Sequence, residues 1–172
     1  KAGPNVIVHL DAEPAHALLC HESDDIIDVR RVRYLVALAT GMREAELAAL
    51  TFDDIDFDKA TLRCFKQVKL VNGKWVTKPP KKNSHRVLPL HPTALAALLW
   101  WRDTGWSVHV GRSPQGSDVV LSDANGQHFI NNMAHHLRLD LARAGLPVLF
   151  DGKHAFTFHA LRRSFMSLLE AE

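Results

Sequence analysis

The sequence predicts an α+β domain that is mainly α-helical and carries one small three-stranded antiparallel sheet. Apolar residues recur at helical spacing before Gly41 and after Pro92, whereas the middle of the chain holds short extended runs around an Asn72-Gly73 turn. At 172 residues, with 47% apolar and 23% charged side chains, the chain is long enough for one domain with a substantial core.

The first third of the chain contains three predicted helices with recognisable boundaries. They cover residues 15–20, about 26–40 and 43–50. Asp11 can cap the first helix, with Pro14 in its first turn, and the run Ser23-Asp24-Asp25 can cap the second. Gly41 can take the left-handed conformation that ends a helix, so the chain can turn sharply there. A turn region is expected over residues 50–56.

The predicted sheet lies in the middle of the chain. Its first strand is expected over the extended runs 61–65 and 68–71, its second over 74–77 and its third over 86–88. Asn72-Gly73 is a strong hairpin signal, and Pro79-Pro80 forbids regular pairing beyond it. The expected sheet is therefore antiparallel and basic, with a lysine-rich turn between its second and third strands.

The second half of the chain returns to helical spacing. Helices are predicted over 93–102, from Asn131 or Asn132 to Gly145, and from about Thr157 onward. Residues 104–118, with three glycines and a proline, are predicted to be a loop, and 119–121 are predicted to be extended. The last helix places an apolar stripe on one face, formed by Phe158, Leu161, Phe165 and Leu168.

The charges are distributed unevenly although the net charge is only +2. Twelve of the nineteen acidic residues fall between Asp11 and Asp58, and none lies between Lys59 and Arg102, a segment with ten basic residues. A one-signed segment in a folded domain indicates a surface that binds a polyanion such as nucleic acid. A solvated sheet edge protected by lysines is the alternative.

Several classes of protein are excluded by simple patterns. Cys20 and Cys64 are far apart and form neither a disulfide framework nor a CxxC site, so a reducing compartment is expected. No apolar run is long enough to span a bilayer, and the first residues lack a signal-peptide pattern. The eleven histidines show no metal-ligand spacing, so neither a metal nor a cofactor is expected.

Two arginine motifs indicate a phosphate site. The first is Thr40-Gly41-Met42-Arg43, where an arginine opens a helix whose free backbone N–H groups could point the same way as its guanidinium. The second is His159 and Arg162, which share one face of the last helix beside its apolar stripe. Alone, Arg43 is compatible with an exposed surface arginine, and His159 with a structural histidine.

Taken together, these motifs resemble the tyrosine recombinases, or phage integrases. The resemblance is carried by residues 40–47 (TGMREAEL), by the lysine turn before Arg86-Val87-Leu88-Pro89-Leu90, and by residues 159–163 (HALRR). The motifs occur in the family's order, and residues 10–13 and 54–56 are also similar to its catalytic domain. The likeness covers essentially the whole chain and implies an integrase-type catalytic domain over residues 1–172.

The resemblance implies DNA strand cleavage and rejoining through a 3′-phosphotyrosyl link, without a metal. Arg43 and Arg162 match the two arginines that bind the scissile phosphate, and His159 would hydrogen-bond it or help to take the nucleophile's proton. A turn lysine would protonate the leaving 5′-oxygen; counting back from Pro89 gives Lys81, with Lys82 and then Lys78 as alternatives. The supporting residues would be Glu46, Lys82 and Arg163, and the further DNA contacts Lys66, Lys69, Lys78 and Arg86.

The nucleophile is where the chain departs from the family. Tyr34 is the only tyrosine in the 172 residues, and it precedes the first arginine motif, where a packing role is expected. We therefore expect a catalytic domain that is truncated before its tyrosine and lacks the family's N-terminal DNA-clamping domain. Such a fragment should bind DNA weakly without cleaving it.

The expected partners are double-stranded DNA at a recombination site and sister protomers on that DNA, with no membrane. The expected location is the cytoplasm of a bacterial or phage-infected cell. The alternative function is a non-catalytic DNA-binding or protein-interaction module. A mere binder has no reason to keep Arg43, Lys81, His159 and Arg162 together in this order.

Overall fold

The computed structural model describes residues 8–20, 29–129 and 132–170, and for residues 166–170 it describes the backbone alone. Its helices are α1 (Ala12–Cys20), α2 (Val29–Thr40), α3 (Glu44–Leu47), α4 (Pro92–Trp100), α5 (Trp106–Val110), α6 (Met133–Arg143) and α7 (Phe158–Glu170). Its strands are β1 (Ile55–Asp56), β2 (Thr61–Cys64), β3 (Gln67–Val71), β4 (Lys74–Lys78), β5 (Arg86–Pro89), β6 (Leu149–Phe150) and β7 (His154–Ala155). The prediction of a mainly helical α+β domain is confirmed.

The centre of the fold is the packing of α2 against α7. Tyr34, Val36 and Ala37 of α2 are fully buried, and so is Leu161 of α7. The predicted helices around this core are confirmed, with α2 ending at Thr40. The capping run predicted at residues 23–25 lies outside the described residues, as does Asn131, while Asn132 directly precedes α6.

The prediction of a loop over residues 104–118 is wrong in its first part. After α4 the chain makes a π-helical turn over Trp101–Gly105 and continues as α5 to Val110, where Gly111 ends the helix with φ +84°. The indole N–H groups of Trp101 and Trp106 donate to the carbonyls of Val120 and Val119, at 2.7 and 3.0 Å. Both rings are fully buried, so their burial outweighs the loop tendency of the nearby glycines.

The strands pair differently from the expectation. The three-stranded sheet has the order β1-β2-β5, with Leu62 opposite Leu88 and Cys64 opposite Arg86. The predicted hairpin at Asn72-Gly73 forms, but β3 and β4 make a separate two-stranded sheet. Its Val68 and Trp75 pack on Ala48 and Ala49, just after α3. Pairing between strands is a tertiary choice, and here burial of Leu62 and Cys64 selects β5 as the partner of β2.

Two further details complete the architecture. The small hairpin of β6 and β7 was not predicted, and α3 is shorter than the predicted helix over 43–50. Among the residues with described structure, no helix combines the length and apolar character needed to cross a bilayer.

Candidate functional site

The turn after α2 brings the two arginine motifs together. Gly41 has φ +58°, as its role as a helix end predicts, and its amide still bonds the Ala37 carbonyl at 2.9 Å. Its own carbonyl accepts a hydrogen bond from the guanidinium of Arg162 on α7. A glycine is required here because a Cβ would lie 3.0 Å from Cε1 of Phe165 and closer still to Cδ1.

Arg43, His159 and Arg162 line one pocket of about 270 Å³. Its other described lining residues are Met42, Glu44, Ala45 and Phe158. Two guanidinium groups and an imidazole thus converge from segments that lie far apart in the chain. Paired guanidinium groups at one pocket are suited to binding a tetrahedral oxyanion.

A buried carboxylate lies behind this pocket. The side chain of Glu46 is fully buried, and its Oε1 accepts from Nη1 of Arg43 at 2.9 Å. Its Oε2 accepts from the backbone N–H of Arg43 at 2.8 Å and from Nη2 of Arg86 at 2.8 Å. Burial alone would raise the pKa of Glu46, but the hydrogen bonds from Arg86 and Arg43 lower it to about 2. Glu46 is therefore ionised at neutral pH, and its hydrogen bonds hold the side chain of Arg43 in one orientation.

The cations around the pocket influence one another. Partial burial lowers the pKa of Arg162, and the charges of Arg43 and Arg86 lower it further. The pKa of His159 is lowered first by desolvation and then by Arg163, Arg162 and Arg43. His159 is consequently neutral at pH 7, and a neutral imidazole has one nitrogen that accepts a hydrogen bond and one that donates.

Glu44 was missed by sequence reasoning. It lines the pocket, and burial raises the pKa of its carboxyl group while the charge of Arg33 opposes that rise. The available signal was its position directly after Arg43, but a helix start accommodates acidic residues for other reasons. A carboxylate on the wall of an anion pocket tends to repel the anion unless it is protonated.

Three backbone amides at the start of α3 are bonded within the chain, and a contribution of the amides of Glu44 and Ala45 to the site stays a prediction. The backbone N–H of Arg43 is bonded to Glu46, and the amides of Glu46 and Leu47 bond the carbonyl of Arg43. α3 has only four residues. The side chains of Arg43 and Arg162 bring positive charge to the pocket.

The candidate general acids lie outside the described lining of the pocket. Lys81 and Lys82 occupy a 3-10 turn over Lys81–Asn83, and both are exposed. Lys82 has φ +58°, in the left-handed region, whereas Lys78 ends β4 and is also exposed. The turn is joined to the sheet by a stack of Phe65 on His85, with ring centroids 5.2 Å apart.

The four predicted DNA contacts fall into two groups. Lys69 and Lys78 are exposed, and the register of β3 and β4 places them on one face of the hairpin together with Lys74. Lys66 instead bonds Asp54 and Thr51, both at 2.8 Å. Arg86 bonds Glu46 and is 26% exposed.

Arg163 and Tyr34, which were also named from the sequence, both lie on helices. Arg163 is exposed beside His159 on α7. Tyr34 is fully buried and donates to Oδ2 of Asp140 at 2.8 Å, as its expected packing role requires. Within the ranges described above, no group of three or more His, Cys, Asp or Glu side chains is arranged to hold a metal ion.

Comparison with known proteins gives a consistent result. Residues 10–172 match the phage integrase family. The chain is 28% identical over 153 residues to a "Tyrosine recombinase XerC-like" protein of Caldanaerobacter subterraneus subsp. tengcongensis, covering 79% of this chain and 37% of that protein. It is also 28% identical over 173 residues to "Tyrosine recombinase XerC" of Roseiflexus sp., covering 91% of this chain and 47% of that protein. The chain thus spans less than half the length of these curated relatives.

Solved structures share the fold. The Tn1549 transposon integrase in complex with circular intermediate DNA superposes with a TM-score of 0.75 at 21% identity, over 99% of this chain and 56% of that one. The lambda integrase catalytic core superposes with a TM-score of 0.63 at 17% identity, over 95% of this chain and 87% of that one. A lambda integrase dimer bound to a core site also superposes, with a TM-score of 0.63 at 17% identity, over 99% of this chain and 53% of that one.

Proposed function

The chain belongs to the phage integrase family, and from that premise we propose that its pocket holds the scissile phosphate of a DNA strand during site-specific recombination. The observation that carries the proposal is the convergence of Arg43, His159 and Arg162 on one pocket of about 270 Å³. The chain then acts as the catalytic domain of a tyrosine recombinase.

In the proposed reaction, Arg43 and Arg162 bind the non-bridging oxygens of the phosphate. Negative charge accumulates on these oxygens when a tyrosine oxygen bonds to phosphorus and the bond to the 5′-oxygen breaks. Guanidinium groups held in place before the reaction stabilise that charge, and losing one such donor costs about 10²–10³ in rate. The hydrogen bonds that Arg43 makes to Glu46, and Arg162 to Gly41, support this preorganisation.

The leaving 5′-oxygen requires a proton, for which Lys81 is the proposed donor. Its exposed turn could approach DNA that lies across the pocket. Lys82 is the second candidate, although its left-handed backbone sets a different side-chain direction, and Lys78 is the third. Neutral His159 can accept the proton of the nucleophile or donate a hydrogen bond to the phosphate.

The nucleophile is proposed to come from outside these 172 residues. Tyr34 cannot attack a phosphate, because its hydroxyl is buried and bonded to Asp140. The 172-residue chain is therefore proposed to bind DNA without forming a covalent link to it.

The proposed partners are duplex DNA at a recombination site and further protomers assembled on it. The exposed lysine face of the β3–β4 hairpin supports backbone contacts beside the pocket, because the hairpin packs on Ala48 and Ala49 just after α3. A protein with this role acts where the DNA is, so the proposed location is the cytoplasm of a bacterial or phage-infected cell.

The proposal is tested by titrating the chain with inorganic sulfate, which is tetrahedral and stays a dianion between pH 4 and 8, and then with duplex DNA. The side-chain N–H signals of Arg43 and Arg162 should shift with either ligand in NMR spectra. Arg43→Ala and Arg162→Ala should each weaken sulfate binding about tenfold or more. Arg112→Gln is the matched control, because Nη1 and Nη2 of Arg112 both donate to Asp118 in a loop that does not line the pocket.

Three results would contradict the proposal. Sulfate affinity that is equal in wild type, Arg43→Ala and Arg162→Ala would show that the pocket is not an anion site. A covalent protein–DNA adduct formed by the 172-residue chain would show that a nucleophile is present within it. Unchanged DNA binding in both arginine variants would favour a non-catalytic binding module.

A further inference from the structure

Arg86 contacts the same carboxylate that orients Arg43. Its Nη2 donates to Oε2 of Glu46 at 2.8 Å, and its Nη1 lies 3.3 Å from Oε1. Oε1 of Glu46 thus accepts from the guanidinium groups of both Arg43 and Arg86, whereas Oε2 accepts from the Arg86 guanidinium and the backbone N–H of Arg43. The thiol of Cys64 lies beside this group, where burial and then the charge of Glu46 raise its pKa to about 12, so it stays a neutral thiol.

The charges explain why two arginines are needed. Glu46 fixes the direction of Arg43, but its negative charge also cancels the attraction of Arg43 for an anion. Arg86 restores that charge, so the group Arg43–Glu46–Arg86 keeps a net charge of about +1 next to Arg162. The effect reaches Arg162, because the charge of Arg86 is among the causes that lower its pKa.

Arg86 is also tied to the turn that carries the candidate general acid. It is the first residue of β5, and its Nη1 lies 3.4 Å from the carbonyl of Ser84, the residue that follows the Lys81–Asn83 turn. The neighbouring His85 stacks on Phe65 at the end of β2. One guanidinium therefore links the lysine turn to Glu46 and, through Glu46, to Arg43.

We propose that Arg86 is a positioning residue for the phosphate site and acts through Glu46, rather than a residue that contacts DNA directly. Arg86 holds the carboxylate of Glu46 in place and offsets its negative charge. Arg43 therefore keeps its orientation, and the site keeps a net positive charge that attracts an anion. This inference rests on the proposed function of the pocket and assigns Arg86 a role different from the DNA contact that its place in the basic segment predicts.

The test is a double-mutant cycle on inorganic sulfate binding, monitored on the side-chain N–H signal of Arg162. Arg86→Gln removes the charge and should weaken sulfate binding about fivefold or more. Arg86→Lys keeps the charge but loses the two-pronged donor geometry of a guanidinium group, so its sulfate affinity should lie between those of wild type and Arg86→Gln. Arg112→Gln removes an arginine from a comparable arginine–carboxylate pair outside the pocket lining and should match wild type.

The decisive comparison repeats Arg86→Gln in a Glu46→Gln background. If Arg86 acts through Glu46, removing Arg86 there should weaken sulfate binding less than it does in the wild-type background. The carboxylate that Arg86 orients is then gone, and only the loss of one positive charge, which is common to both backgrounds, remains. Thermal unfolding of every variant confirms that a folded protein is being titrated. Should Arg86→Gln fail to fold, Arg86→Lys in the two backgrounds provides the same comparison.

The outcomes separate this inference from the proposed function. An equal loss of sulfate affinity on removing Arg86 in both backgrounds would mean that Arg86 acts by its charge or by direct anion contact and not through Glu46, and it would overturn the inference alone. Wild-type affinity in Arg86→Gln would also overturn it. Failure of wild type to bind sulfate in an Arg43-dependent way would instead overturn the proposed function, and the inference with it.

Discussion

Replacing Gly41 by alanine should destabilise both the fold and the pocket lined by Arg43 and Arg162. Gly41 has φ +58°, where an alanine costs about 1–2 kcal/mol. The new Cβ would also lie 3.0 and 3.2 Å from Cε1 and Cγ of Phe165, and closer still to Cδ1, whereas carbon atoms prefer about 3.5–4.0 Å. Relieving such an overlap costs about 1–3 kcal/mol. The free energy of unfolding should therefore fall by about 2–5 kcal/mol in total.

Urea unfolding of Gly41→Ala and Gly145→Ala measures the contribution of the aromatic contact. Gly145 also follows a helix with φ +70°, but a Cβ there would meet nothing within 4 Å. Its variant should lose only the backbone contribution, about 1–2 kcal/mol. A larger loss for Gly41→Ala, together with weaker sulfate binding because Arg162 shares α7 with Phe165, is the expected result. Equal losses for the two variants would refute the reasoning about Phe165.

Three further predictions concern pH, the buried tyrosine and the hairpin. Folding lowers the pKa of His159, so the unfolded chain binds more protons than the folded chain below about pH 6.5. The free energy of unfolding should therefore fall as the pH falls through this range. This pH dependence should flatten in His159→Gln, and an unchanged slope would contradict the prediction. Tyr34→Phe should lower the free energy of unfolding by about 1–3 kcal/mol, because the buried carboxylate of Asp140 loses a hydrogen-bond donor. DNA binding and its salt dependence should stay at the wild-type level. A loss of DNA binding in the folded variant would argue against a purely structural role. Lys69→Gln and Lys78→Gln should each reduce the slope of log affinity against log salt for duplex DNA by about 1, and unchanged slopes would remove the hairpin from the DNA interface.

The sequence was sufficient where a local pattern has one physical solution. Gly41 ends α2 because the left-handed conformation favours glycine, and Asn72-Gly73 closes a hairpin for a related reason. The stripe on the last helix correctly predicted burial of Phe158 and Leu161. The convergence of Arg43 and Arg162 followed from the family motifs, because neither motif alone specifies its partner.

The other features depend on tertiary contacts, which the spacing of residues along the sequence does not specify. β2 pairs with β5 because the buried side chains of Leu62 and Cys64 need a covering strand, while the hairpin packs elsewhere. Helix α5 forms because Trp106 is buried, although its surroundings are rich in loop-forming residues. In the same way, a list of basic residues cannot tell Arg86, paired with a buried carboxylate, from Lys69, exposed on the hairpin.

The arrangement of charges around the pocket is itself an argument for anion binding. Arg43, Arg86 and Arg162 lie close enough for the first two to lower the pKa of the third, and the buried carboxylate of Glu46 offsets only part of their repulsion. Such repulsion opposes folding, so it persists only because the α2–α7 core and the Gly41 turn hold the groups in place. An anion bound between Arg43 and Arg162 would relieve this repulsion, so the proposed phosphate site would regain on binding part of the free energy that the repulsion costs.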